Sequence, residues 1–133
     1  MKQFQLRTLE NLQPAPGIEY INECCRFGDV ILEAIKRGIG EKLSIAPKDL
    51  ITAQEDWGWF LEFEKDRIFY ELGISYREKD DESAHNFGMT IEANKLEKGF
   101  FLDKKIECAE AGEDLAKIVQ TIARENDLEI SEE

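Results

Sequence analysis

The chain is poor in the residues on which most catalytic and metal chemistry relies: among 133 residues there are one histidine, three cysteines and three prolines. A Ser-His or Cys-His mechanism would run entirely through His85, with Ser83 or a distant thiol, and an exposed histidine beside an acidic loop is the simpler reading. Cys24, Cys25 and Cys108 contain no C-x-x-C spacing to close two zinc ligands on one turn. Adjacent cysteines close only a strained ring, so a secreted disulfide framework is not expected either. Gly38-Ile39-Gly40-Glu41-Lys42 lacks the preceding strand, the glycine spacing and the Lys-Ser/Thr pair of a phosphate loop, and reads as a helix stop. The run Glu78-Lys79-Asp80-Asp81-Glu82 has neither the ligand spacing nor the glycine of a calcium loop. The expectation is a protein with no enzyme activity, no metal and no organic cofactor. No apolar run approaches the roughly 20 residues of a membrane helix. Met1-Lys2-Gln3-Phe4-Gln5-Leu6-Arg7 alternates instead of carrying a continuous apolar signal core, which implies a cytoplasmic address.

Positive charge is also scarce. Seventeen basic side chains against 29 acidic ones leave a net charge of −12 and a pI near 4.6, which argues against nucleic acid and anionic membrane as ligands. Residues 1–48 hold 7 basic and 6 acidic side chains, so residues 49–133, with 10 basic and 23 acidic, carry net −13. Concentrated charge of one sign steers a partner of the other sign, and a basic protein is the partner class this favours. An acidic surface that only maintains solubility is the plain alternative.

What is present is a folded pattern. The hydrophobic fraction of 42%, with 10% aromatic, is enough to build a core. Apolar residues fall on odd positions in 57–63 (Trp57, Trp59, Leu61, Phe63) and on even positions in 68–76 (Ile68, Tyr70, Leu72, Ile74, Tyr76), the signature of a β-hairpin. With Lys65-Asp66 as the turn, Phe63 faces Ile68, Leu61 faces Tyr70, Trp59 faces Leu72 and Trp57 faces Ile74, and every pair is apolar. A third run, 86–93, extends the hairpin into an antiparallel meander whose second face carries Gly58, Phe60, Glu62, Phe69, Glu71, Gly73, Gly88, Thr90 and Glu92 and is at least partly wet. An amphipathic helix is expected over 113–126, from Leu115, Ile118, Val119 and Ile122. A looser N-terminal helical stripe runs from Ile21 to Ile35, interrupted at Gly28 and ended by Gly38 and Gly40. Phe4-Gln5-Leu6 and Ile106-Glu107-Cys108 add short strands. The fold class is α+β in two layers, the antiparallel meander being covered on its Trp57-Trp59 face by N-terminal and C-terminal helices within one domain, 1–133.

The string Glu55-Asp56-Trp57-Gly58-Trp59-Phe60-Leu61, followed by an alternating strand, a short turn and a second strand ending near Leu72-Gly73-Ile74, resembles small acidic bacterial proteins of the toxin-immunity kind across residues 55–92. That resemblance implies a cytoplasmic inhibitor that binds a toxin domain, often a nuclease, and has no catalytic residues. The candidate partner surface is Glu55, Asp56, Phe60, Glu62, Glu71, Asp80, Asp81 and Glu82, acids to steer the encounter and an aromatic ring to anchor it. Two other readings stay open. One is an acidic chaperone for a secreted effector, whose element order should begin with a helix, whereas Phe4 to Leu6 reads as a strand. The other is a small ligand-binding module or enzyme using the Gly58, Gly73 and Gly88 face as a pocket floor. Whether the chain is a dimer is left open.

Overall fold

The period-2 runs become one sheet. The computed structural model describes residues 1–133 and contains β1 (Lys2–Thr8), α1 (Gly28–Leu43), β2 (Ile51–Glu55), β3 (Gly58–Lys65), β4 (Ile68–Lys79), β5 (His85–Glu97), β6 (Lys104–Glu107), α2 (Ala109–Glu125) and β7 (Glu129–Glu132), with short 3-10 turns at Glu23–Cys25 and Pro47–Asp49. The strand order is β2-β3-β4-β5-β1-β7, every pair is antiparallel, and β6 pairs with the far half of β5 that β1 leaves free. The fold is α+β. α1 lies over β3 and β4, α2 lies over β5 and β1, and the two helices touch each other. Neither helix is long and apolar enough to cross a membrane.

One side of the sheet supplies the core. Trp59, Leu61 and Phe63 of β3, Leu72, Ile74 and Tyr76 of β4, Phe87, Met89 and Ile91 of β5, and Phe4 and Leu6 of β1 are all buried under Ile31, Leu32, Ile35 and Ile39 of α1 and Leu115, Val119 and Ile122 of α2. The other side has no helix on it, and it is the side that carries Phe60, Glu62, Phe69, Glu71, Gly73, Gly88, Thr90 and Glu92, in agreement with the wet-face expectation.

The hairpin register differs from the expected one by two residues. Trp59 faces Ile74, Leu61 faces Leu72 and Phe63 faces Tyr70. The turn is Asp66-Arg67, with φ of 53° and 67°, rather than Lys65-Asp66. Two successive positive φ values are what a two-residue hairpin needs to match strand twist, and aspartate tolerates them. The adopted register stacks Phe63 on Tyr70 at 4.9 Å with ring planes 15° apart. A shift of two preserves the faces, so the hairpin's core assignment survives except for Trp57 and for Ile68, which is only half-buried beside the turn and lies outside the core. Trp57 sits in the two-residue turn between β2 and β3, is 41% exposed, and lies on the uncovered face instead of pairing with Ile74.

Two further expectations are corrected. Gly38 and Gly40 do not end α1, which runs through them to Leu43 and closes at Ser44 with φ 56°. Gly38 serves packing instead: a Cβ there would stand 2.7 Å from Ile122 of α2, so its absence lets the helices approach. His85 is not an exposed loop residue. It is buried at the head of β5, its ring 5.0 Å from that of Phe27 and its Nδ1 3.0 Å from the Tyr76 hydroxyl. Burial, then the charges of Lys79 and Arg26, hold its pKa below the ordinary value. β2 and β7 were not anticipated, α2 begins four residues earlier than the apolar stripe suggests, and β6 ends before Cys108.

The β2–β3 turn depends on Gly58. Its φ is +149°, and a Cβ there would fall 2.1 Å from the Ile74 carbonyl oxygen, whereas Gly17, at φ +79°, has nothing within 4 Å. Gly58→Ala should therefore lower unfolding free energy by about 3 kcal/mol or more, and Gly17→Ala by only about 1 kcal/mol, as read from urea denaturation midpoints.

Candidate functional site

The register that buries Trp59 also aligns three carboxylates. Glu62 of β3 lies directly across from Glu71 of β4, and Glu71 lies directly across from Glu92 of β5. With strands spaced about 4.8 Å apart, three like charges fall within roughly 10 Å on the uncovered face. Like charges directly opposite destabilise a sheet, so this row opposes folding. Glu71, in the middle, shows the effect: partial burial first, then Glu62 and Glu92, raise its pKa above the ordinary 4.5, with Lys105 pulling the other way.

Apolar side chains bracket the row. Ile51 continues it on β2, and Phe69 and Leu96 stand one and two rows further on, all three exposed. Together they border a shallow cleft of about 430 Å³ that includes Glu62, Glu71 and Lys105. On the other side of the row Phe60 is half-buried, and beyond it the outer edge of the Trp57 indole packs on Gly73, where a Cβ would meet the ring at 2.9 Å.

The glycine-lined part of this face is narrowed by two large side chains. Trp57 occupies the space over Gly73, and the Arg77 guanidinium occupies that over Gly88, where a Cβ would meet it at 2.8 Å. Ser75 donates to the Trp57 carbonyl and Arg77 is paired with Glu133 at the border of a hollow of about 220 Å³ that Gln3 and Thr90 also line. A wider cleft of about 530 Å³ flanks α1 near Asp29 and Arg37, and there too Asp29 is engaged, accepting from the Tyr20 hydroxyl at 2.8 Å and the Ala15 amide at 3.2 Å.

The β2–β3 turn that presents Glu55, Asp56 and Trp57 is stapled from behind by residues 19–25. The Cys25 thiol donates to the Glu55 carbonyl at 3.0 Å, Asn22 Nδ2 to the Asp56 carbonyl at 2.6 Å, and the Trp59 indole N–H to the Cys25 carbonyl at 2.8 Å. Gln54 adds two more, accepting from the Ile21 amide at 2.8 Å and donating to the Glu19 carbonyl at 3.0 Å. Cys24 and Cys108 are free thiols.

Asp80 has a different occupation from its neighbours. Its Oδ1 accepts from the Glu82 and Ala84 amides, each at 3.0 Å, and its Oδ2 from Arg7 Nε at 2.9 Å and Asn86 Nδ2 at 3.0 Å. The bonds from Asn86 and Arg7, then those from the backbone, hold its carboxyl well below the ordinary 3.8. Asp80 thus closes the β4–β5 turn and anchors Arg7, which also meets Glu82 at 3.2 Å and Glu129 at 3.1 Å. Asp81 is exposed at the tip.

Of the expected surface, then, Phe60, Glu62 and Glu71 come together at the centre of the open face, Glu55 and Asp56 stand on a braced turn at its edge, and Asp80, Asp81 and Glu82 form a separate corner. Glu92, Ile51, Phe69, Leu96 and Trp57 complete the central surface and were not among the expected residues. Glu92 and Phe69 already share the wet face in the period-2 pattern, which was the available signal. Comparison with family models, with curated proteins and with solved structures finds no match to this chain.

Relieving the row should stabilise the protein. A raised folded-state pKa means that Glu71 loses stability for the fold as pH rises from its ordinary 4.5 through the raised value, and the whole penalty is present at neutral pH. Glu71→Gln is expected to raise unfolding free energy at pH 7 by roughly 0.2–1 kcal/mol for each like-charge pair removed. The gain should vanish by about pH 4, where the native carboxyl is also protonated, as followed by thermal unfolding across that range.

Proposed function

We propose that this protein acts by binding another protein, and that the uncovered sheet face around Glu62, Glu71 and Glu92 receives a basic, partly apolar segment of that partner. The observation that carries this reading is the carboxylate row itself: an arrangement unfavourable in the isolated chain persists on an exposed face, flanked by apolar side chains that have nothing packed on them. A lysine or arginine laid across the row would relieve the repulsion, and Ile51, Phe60, Phe69 and Leu96 would supply desolvated contact. The bracing of Glu55, Asp56 and Trp57 keeps the edge of the surface preformed, which limits the ordering cost of association.

An immunity-type inhibitor fits these properties. Neutralising a basic toxin such as a nuclease requires charge that imitates a phosphate array and an anchor that holds, and it requires no chemistry from the inhibitor itself. Its place of work would be the cytoplasm, where such a toxin acts. The net −13 of residues 49–133 supports the same reading through long-range steering.

The test is association kinetics with the product of the neighbouring gene. Between about 20 mM and 500 mM salt the on-rate should fall at least about tenfold, because the Debye length shrinks from roughly 20 Å to a few ångströms. The triple variant Glu62→Gln, Glu71→Gln, Glu92→Gln should slow association at low salt and flatten the salt dependence. An on-rate independent of salt, or an interface mapping to residues 1–48, contradicts the proposal.

A further inference from the structure

The connection between β5 and β6 holds the most exposed apolar side chains of the molecule. Phe100, Phe101 and Leu102 are 95%, 89% and 81% exposed. The loop is tight rather than slack: a Cβ at Gly99 would lie 2.1 Å from the Leu102 carbonyl oxygen, and the two phenyl rings meet edge to face at 4.8 Å. Charge around it runs against the rest of the chain. Residues 95–105 contain Lys95, Lys98, Lys104 and Lys105 against Glu97 and Asp103, net +2 inside a region that is otherwise strongly acidic. This basic, aromatic arm adjoins the acidic cleft, since Leu96 and Lys105 border both.

A patch that contains both halves of a complementary pair meets the condition for a two-fold interface, in which the same surface serves each subunit. We propose that two copies of this chain associate through it, the Phe100-Phe101-Leu102 arm of each lying across the Ile51, Phe69 and Leu96 cleft of the other, with Lys98 and Lys105 set against Glu62, Glu71 and Glu92. The apolar tip supplies buried area, and the lysines meet the one row of the sheet that repels itself. An anionic lipid surface is the less suitable occupant for the same tip, because the chain as a whole carries −12. The dimer stands on these observations alone. Its consequence for a basic partner, competition for one face, rests on the function proposed above.

Sedimentation equilibrium of the full chain at low salt tests it. Wild type is expected to be a dimer at tens of micromolar, and Phe100→Ser with Phe101→Ser should weaken the association about 100-fold or more without altering the circular dichroism spectrum, since both rings are free of the core. A charge exchange makes the test specific. The variant Lys98→Glu, Lys105→Glu and the variant Glu62→Lys, Glu71→Lys, Glu92→Lys should each be monomeric alone and form a heterodimer when mixed. A wild-type monomer at about 100 μM overturns the inference, as does a dimer indifferent to the loop substitutions or a mixture that stays monomeric. Flotation of wild type, but not of the Phe100→Ser, Phe101→Ser variant, with phosphatidylserine vesicles overturns it in favour of a membrane-seeking loop. Loss of the dimer with retained salt-dependent binding of the neighbouring gene product would leave the proposed function standing.

Discussion

The two-residue turn at Asp66-Arg67 sets what the rest of the molecule can do. By accepting positive φ at both positions it places Phe63 on Tyr70 and Trp59 on Ile74, and these are the pairs on which α1 and α2 pack. The same register sets Glu62 against Glu71, and the β4–β5 pairing then sets Glu71 against Glu92. Aromatic pairing in the core and repulsion on the open face are therefore set by one alignment: the register that stacks Phe63 on Tyr70 is the register that sets Glu62 against Glu71. The hydrophobic face wins because each large buried side chain is worth roughly 1.5–3 kcal/mol, several times the cost of an exposed like-charge pair.

The uncovered face is organised around that repulsion. Trp57 and Arg77 stand over Gly73 and Gly88 and narrow the glycine-floored part of this face to a hollow of about 220 Å³, whereas the acidic cleft near Ile51, Phe69 and Leu96 measures about 430 Å³. The segment from Glu19 to Cys25 does on the edge what α1 and α2 do for the core, fixing the turn that carries Glu55, Asp56 and Trp57 through five hydrogen bonds contributed by Gln54, Asn22, Cys25 and Trp59.

The meander, the two covering helices and the composition of the wet face were legible in the amino-acid sequence, because strand alternation and helix periodicity depend on which residues are apolar and on little else. The register was not, because a shift of two residues leaves every face unchanged and only turn geometry separates the alternatives. Trp57 was misplaced for the same reason, as its odd position matches Trp59 and nothing local signals that Gly58 turns the chain at φ +149°. Gly38 and Gly40 read as a helix stop, although the reason for Gly38 is Ile122, more than 80 residues away in the chain. His85 follows Ser83, at φ 65°, and an acidic turn, so its burial beneath Phe27 is a tertiary fact. Asp80 looked like its acidic neighbours until the amides and Arg7 that it binds were placed around it.

A carbon-13 NMR titration of the glutamate side chains measures the carboxylate row most directly. Glu71 should titrate above 4.5 in the wild-type protein. In Glu62→Gln and in Glu92→Gln its midpoint should move down toward that ordinary value, because each substitution removes one facing charge. A Glu71 that titrates at or below 4.5, or whose midpoint ignores both substitutions, would mean that the three carboxylates do not face one another and that the open side of the sheet is not the charged surface described.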